Sequence, residues 1–451
     1  MQVLNLIQHM PQAALVRLDT LATIMAVLVV FLGAVVLRFA ARYLEGDPGR
    51  SRFLGWMFLT IASVVTLVVS NHLLLLLGAW VATSLCLHRL LLFHPERPGA
   101  VFAARKKFVF SRVAELSLLC AVLILHVGHD TWLISDLAAS ISEGNHAGLP
   151  LAAFLLALCA MLKSAQFPFH SWLPDTMDTP TPVSALMHAG IINAGGFLVL
   201  RLAPVFTAAP GALHLLATVG VITAVFGAIV MLPQSGVKRA LAFSTIAQMG
   251  FMMIQCGLGA WGLALLHLVA HSLYKAYAFL HAGSTISAAP RAAIPLGTGA
   301  LVLGVLMGSA VVGTVATGAH LLFPSVPETP LVFLSILVLA LAYGIARAWS
   351  GYPASLPRAL AAALGIAVAG LGLHAIAGFI LPYPAASPIP AWLSLLVGTA
   401  FIVLFIFQSL MWRASSHPLG RLLYVHALNG FYVGTIANRL LGSLWPNKPD
   451  A

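Results

Sequence analysis

The chain has 451 residues, of which 60% are hydrophobic and only 8% charged. A soluble domain carries about 25% charged residues, so this composition excludes one and requires an integral membrane protein. The formal net charge of +11 does not point to nucleic acid, because the basic residues are dispersed between apolar runs. Those runs predict an all-α polytopic membrane protein, since helices satisfy their own backbone in lipid. About thirteen are long enough to cross roughly 30 Å of hydrocarbon.

The first 20 residues carry Arg17 and Asp19 and lack a small-residue cleavage site, so no signal peptide is expected. Spans are predicted at 21–41, 53–69 and 71–93. The cationic stretch 94–112, HPERPGAVFAARKKFVFSR, is expected to be a headgroup-level loop that sets orientation; a docking surface for an acidic partner is the alternative. The span 108–127 holds Glu115, the only acidic residue in any span. A carboxylate there needs a proton or a cationic neighbour. Lys163 and Arg112 are the candidates, the first implying a conducting role and the second a static ion pair.

The connection 128–149 has Asp130, Asp136 and Glu143 but no Lys or Arg. The stretch 158–204 follows, around which the rest is organised. The span 149–165 carries Lys163 and breaks at Pro168, and after a proline-rich connection the span 183–202 carries His188. A lysine in hydrocarbon costs about 2.5 to 3.5 kcal/mol and is kept mainly where it lines a cavity or conducts charge.

Spans at 212–232 and 238–257 come next. The second begins with Lys238 and Arg239 and carries Ser244, Thr245 and Gln248. Lys238, Ser244 and Gln248 are candidates for a secondary polar path, with interhelical hydrogen bonding as the plainer role. In 261–283, His267, His271 and Lys275 recur every four residues on one helical face, about 6 Å apart in rise. Three titratable groups in a row can relay protons. Hydrogen-bonded core histidines are one alternative. A metal site is another, although HLVAH lacks the glutamate of HExxH and a third ligand.

The remaining spans, 296–317, 331–348, 359–380 and 392–412, are rich in Ala, Gly, Leu and Val, with Arg347 marking a boundary. Residues 1–412 thus form the transmembrane domain. Residues 413–451, interrupted by Arg421, His426, Asn429 and Arg439, are expected to lie at the interface. With the amino terminus outside, one face collects 19 of the 23 Lys and Arg residues, including Arg291, Arg413 and Lys448, so that face and the carboxyl terminus are expected to be cytoplasmic. The cysteines Cys86, Cys120, Cys159 and Cys256 stand singly in apolar spans, as buried small hydrophobes do. The sequence contains no Walker loop, dinucleotide fingerprint, iron–sulfur cysteine cluster or nucleophile elbow. An ion gradient or a partner must therefore drive the chain, and no cofactor is expected in it.

The stretch KSAQFPFHSWLPDTMDTPTPVSALMHAGIINAG, with KRALAFSTIAQMG and HLVAHSLYKAYAFLHAGS, resembles the proton-conducting membrane subunits of NADH:quinone oxidoreductase and the large subunits of sodium/proton antiporters. The resemblance covers residues 70 to 285 and implies inverted five-helix repeats with broken helices, one near 71–232 and one near 238–412. It also implies a central axis of Lys163, His188, His267, His271 and Lys275, with Glu115 beside it. Those relatives carry a glutamate directly after an early tryptophan, whereas here Trp80 is followed by Val81; their further second-repeat lysine has no counterpart, since 292–346 contains no Lys or Arg.

The segments LLLLLGAWVATSLCLHRLLLFHPERP, ARKKF and LYVHALNGFYV are similar to the DabB family, the membrane subunits of the bacterial DAB inorganic-carbon accumulation system. That resemblance implies a cytoplasmic DabA-like zinc partner akin to β-carbonic anhydrase. It further implies an inner-membrane location and a flow of protons or sodium ions that drives one-way hydration of carbon dioxide in the partner. Three alternatives follow: a monovalent cation/proton antiporter subunit, a respiratory proton-pumping subunit, and a structural anchor for the partner.

Overall fold

Each of the thirteen predicted runs is helical in the computed structural model, which describes residues 15–283, 296–322, 329–351, 355–380, 388–411 and 418–444. In chain order the helices begin with α1 (Thr20–Tyr43), α2 (Arg50–Val69), α3 (Leu73–Leu91), α4 (Pro98–His129), α5 (Ile134–Ser142) and α6 (Leu149–Lys163). A helix broken in the middle supplies α7 (Thr181–Ala189) and α8 (Ala194–Arg201), followed by α9 (Pro210–Met231), α10 (Val237–Gly257) and α11 (Trp261–Leu280). Then come α12 (Thr298–Leu322), α13 (Leu331–Gly351), α14 (Leu356–Ile380), α15 (Ala391–Met411), α16 (Pro418–Leu428) and α17 (Val433–Leu444). Among the described residues 12 helices are long and apolar enough to span, with α7 and α8 taken as one. The thirteenth, α6, has 15 residues and reaches only about 22 Å.

The described residues form two compact units, one from residues 15–283 and 430–444 and one from 296–429. The second is an apolar bundle whose core includes Val312, Leu341, Ile345, Ala363 and Ala367. Every candidate site residue lies in the first unit. There α9 and α10 approach so closely that a β-carbon on Gly250 would fall 2.5 Å from the Ala224 nitrogen, and only small residues permit this contact. Cys159 and Cys256 are buried and Cys86 and Cys120 half-buried.

Two expectations about loops change. The stretch 94–112 is not a loop at the headgroups: Pro98 opens α4 at its first position, the place where a missing N–H costs nothing, and the helix runs for 32 residues. Lys106 and Lys107 are therefore interior groups, 1% and 3% exposed. Polar partners supplied by other helices make their burial tolerable. The connection 128–149 likewise contains α5. Arg291, Arg413 and Lys448 lie outside the described residues, as does the first stretch of the chain to residue 14.

At the other end of the helix bundle from Lys106, Asp19 ties the first unit together. Its Oδ1 accepts the Ala22 amide at 2.9 Å and caps α1. Its Oδ2 meets the buried Arg201 at 2.7 Å and Arg17 at 2.8 Å. Burial pushes the Asp19 carboxyl up, but the Ala22 hydrogen bond and the Arg201 and Arg17 charges outweigh it and hold the group below its usual range. Asp19→Ala would leave Arg201 buried without a counter-ion, its remaining hydrogen bond going to the neutral Val68 carbonyl, so a loss of about 3 kcal/mol is expected in detergent melting. Because the folded carboxyl lies below its unfolded value of 3.8, the Asp19 contribution is complete above that pH. It disappears as pH falls through the lower folded value.

Candidate functional site

Two clusters of buried ionisable groups emerge. The first forms where α6 stops. Lys163 is its last residue, and the chain then turns through Ser164 and Ala165, whose φ is 49°. Ser164 Oγ donates to the Ile192 carbonyl at 2.7 Å, fixing the turn against the break between α7 and α8. Lys163 is 6% exposed and its Nζ has no hydrogen-bond partner within the protein. The ammonium instead sits over the Trp80 indole, 4.8 Å from the ring centroid, a cation–π contact favoured in desolvated surroundings.

Glu115 is paired by Arg112, one turn earlier on α4, at 2.8 Å. Of the two partners the sequence offered, Arg112 makes the contact, while Lys163 remains within electrostatic reach. Lys107 is a third cation here, with Nζ donating to the Ser84 carbonyl at 2.8 Å and hydroxyl at 3.0 Å. Lys107, Lys163, Trp80, Ser111 and Trp172 line one small cavity with room for about one water.

The second cluster joins α7, α10 and α11. Thr245 Oγ1 donates its single proton to the Leu241 carbonyl at 3.0 Å, so in its 3.0 Å contact with His188 Nδ1 it accepts. His188 is then protonated on Nδ1, and its Nε2 has no partner within the protein. His267 Nδ1 likewise donates to Gln255 Oε1 at 2.7 Å, leaving Nε2 unpartnered. His271 is 4% exposed and neither ring nitrogen has a protein partner. Its ring stands edge-on to that of His267, 6.0 Å between centroids, and His188 and Lys275 lie within electrostatic reach. Lys275 Nζ donates to the Leu241 carbonyl at 3.1 Å. The Phe279 ring covers His188 at 4.4 Å.

Three imidazoles with an unpartnered Nε2 beside a lysine can pass a proton by alternately accepting and donating it. Among the described residues no three His, Cys, Asp or Glu side chains converge as a metal site. Between the clusters no direct hydrogen bond joins Lys163 and His188. The break between α7 and α8 lies there, with Asn193 Nδ2 donating to Ser272 Oγ on α11 at 2.8 Å.

The secondary path looks different from the expectation. Lys238 is half-buried, with Nζ 3.4 Å from the Thr179 carbonyl; Ser244 is half-buried and Gln248 lies on the exposed face. The polar residue of α10 that meets the axis is Thr245, with Gln255 three turns on. Both were readable as helical neighbours, but only the approach of α7 and α11 selects them. Lys107 was hidden by its place in a basic run that charge alone assigns to a surface.

A family described as NADH:quinone oxidoreductase/Mrp antiporter, TM, matches residues 70–303, more than half the chain, and the complex I chain 5 N-terminus family matches 7–54. A protein of Halothiobacillus neapolitanus named "Probable inorganic carbon transporter subunit DabB2" is 38% identical over 96% of the chain and 81% of its own length. One from Hydrogenovibrio crunogenus, "Probable inorganic carbon transporter subunit DabB", is 49% identical over 60% of this chain. That match spans 53% of the Hydrogenovibrio protein. The Mrp complex from Dietzia sp. DQ12-45-1b contains a chain of similar fold, with TM-score 0.62 and 25% identity, covering 96% of this chain and 53% of that one. The buried lysines and histidines thus stand on a scaffold shared with redox-linked and antiporter subunits, and the chain belongs to the NADH:quinone oxidoreductase/Mrp antiporter membrane-subunit family, among its DabB inorganic carbon transporter subunits.

Proposed function

We propose that the chain is the ion-conducting membrane subunit of an inorganic-carbon accumulation complex in the bacterial inner membrane, carboxyl terminus cytoplasmic. Protons, with sodium ions as the other candidate, pass by way of Glu115, which its pairing with Arg112 leaves within reach of Lys163, and of Lys163 itself to His188, His267, His271 and Lys275. Their flow drives one-way hydration of carbon dioxide in a DabA-like cytoplasmic subunit that supplies the zinc and the catalysis. The observation that carries this reading is the line of unpartnered imidazole nitrogens beside Lys275 in an otherwise apolar bundle. Single unpartnered imidazole nitrogens also occur at His72, His129 and His170, so it is the clustering of three such rings around Lys275 that supports the reading.

Purifying the tagged chain from its own host tests the assembly. A soluble zinc-bearing protein is expected to copurify, and the pair is expected to restore growth in air to cells lacking carbonic anhydrase. Recovery with antiporter subunits and no zinc, together with sodium tolerance, would favour the antiporter reading, which the likeness to the Mrp complex supports.

A further inference from the structure

Lys107 has no part in the path above, yet at 3% exposed it is more deeply buried than Lys163, His271 or Glu115. We propose that Lys107 is a second proton-carrying group, exchanging a proton with Lys163 through the cavity the two side chains share. This rests on the reading of Lys163 as a conducting residue.

The geometry leaves Lys107 without a counterion of its own. Two of its three Nζ donors are spent on Ser84, which is neutral. The nearby carboxylate, Glu115, is held directly by Arg112 and reaches Lys107 only through the Ser84 hydroxyl that both share. The charged or titratable groups facing Lys107 are Lys163 from α6, Glu115 and Arg112 from α4 itself, and His88 from α3. Two ammonium ions around a cavity for about one water repel strongly where the dielectric is low. One ammonium and one amine, bridged by that water, form instead a donor–water–acceptor chain along which a single proton moves. It leaves one lysine nitrogen as it joins the water, while another proton of the water joins the second nitrogen, so nothing else is consumed.

Position along α4 shows where in the bundle this exchange takes place. Lys107 lies about 13 Å from the start of the helix and Glu115 about 26 Å. The adjacent Lys106 binds Asp175 at 2.7 Å, and the Asp175 side chain is 32% exposed. Lys107 therefore stands between Lys163 and the aqueous end of the bundle near Asp175. A purely structural lysine, clamping α4 to α3 through Ser84, would need only its positive charge and length. A site for a small monovalent anion between the two lysines would need only positive charge.

Proton flux in inverted membrane vesicles carrying the whole complex distinguishes these roles. Lys107→Met fills the same space without a titratable group, and Lys107→Arg keeps a charge that is not given up. Both are expected to assemble at wild-type level and to lose flux by about 100-fold, the scale of a lost proton-transfer group. In Lys107→Gly, ethylamine is expected to restore flux, which a clamp would not show. Flux near wild type in Lys107→Arg would overturn the proposal, pointing to an anion site if it requires chloride and to a clamp if it does not. Loss of the assembled complex in Lys107→Met would also overturn it. Lys163→Ala is the control: if that variant keeps its flux, the conducting role of Lys163 fails, whatever Lys107 does.

Discussion

Lys163→Ala is expected to abolish growth in air supported by the complex, with ion flux down by about 100-fold or more, while the subunit still inserts and assembles. Two opposing magnitudes decide that assembly survives. Burying the lysine costs about 2.5 to 3.5 kcal/mol, and the contact it makes with the Trp80 ring returns about 2 kcal/mol when desolvated. With no hydrogen bond at Nζ, little folding free energy depends on the charge. Lys163→Arg is expected to fail in transport as well, because a guanidinium holds its proton throughout. Growth at ambient against elevated carbon dioxide, with membrane level measured by blotting, checks both variants.

His271→Met is the second substitution with a large expected effect, and it separates function from folding. Both imidazole nitrogens are buried without protein partners, and an unsatisfied buried polar group costs roughly 1 to 3 kcal/mol. Methionine of similar size removes that cost, so melting of the purified complex is expected to stay level or rise. Flux should nevertheless fall by about 100-fold, since His271 is the group within reach of His267, His188 and Lys275 together. His267→Met provides the contrast. It breaks the 2.7 Å bond to Gln255 and strands a buried acceptor, so melting should drop by the equivalent of about 1 to 3 kcal/mol along with the flux.

Hydropathy made the spans readable, because a helix is the form in which a long apolar segment can leave water. The four-residue spacing of His267, His271 and Lys275 placed them on one face of α11. What spacing could not give was the neighbour on the other helix. Glu115 had two plausible cations, and the approach of α4 to itself at three residues favoured Arg112 over Lys163. Ser244 and Gln248 were named with Thr245 as polar residues of α10, yet only Thr245 faces His188. Lys106 and Lys107 were hardest to place, since a basic run before an apolar one ordinarily marks a boundary. Here Pro98 starts the helix before the run, and the buried Ser84 and the half-buried Asp175 and Asn438 supply partners. Trp80 was noted for the valine that follows it, and its role as the surface under Lys163 emerged only from the packing of α3 on α6.

Conduction through the buried lysines and histidines is tested most directly by an imposed pH gradient across vesicles containing the assembled complex, with collapse of the gradient followed for the unaltered complex, Lys163→Ala and His271→Met. Wild-type vesicles should dissipate the gradient and both variants should hold it about 100-fold longer. Equal dissipation by all three, with equal amounts of complex present, would contradict it.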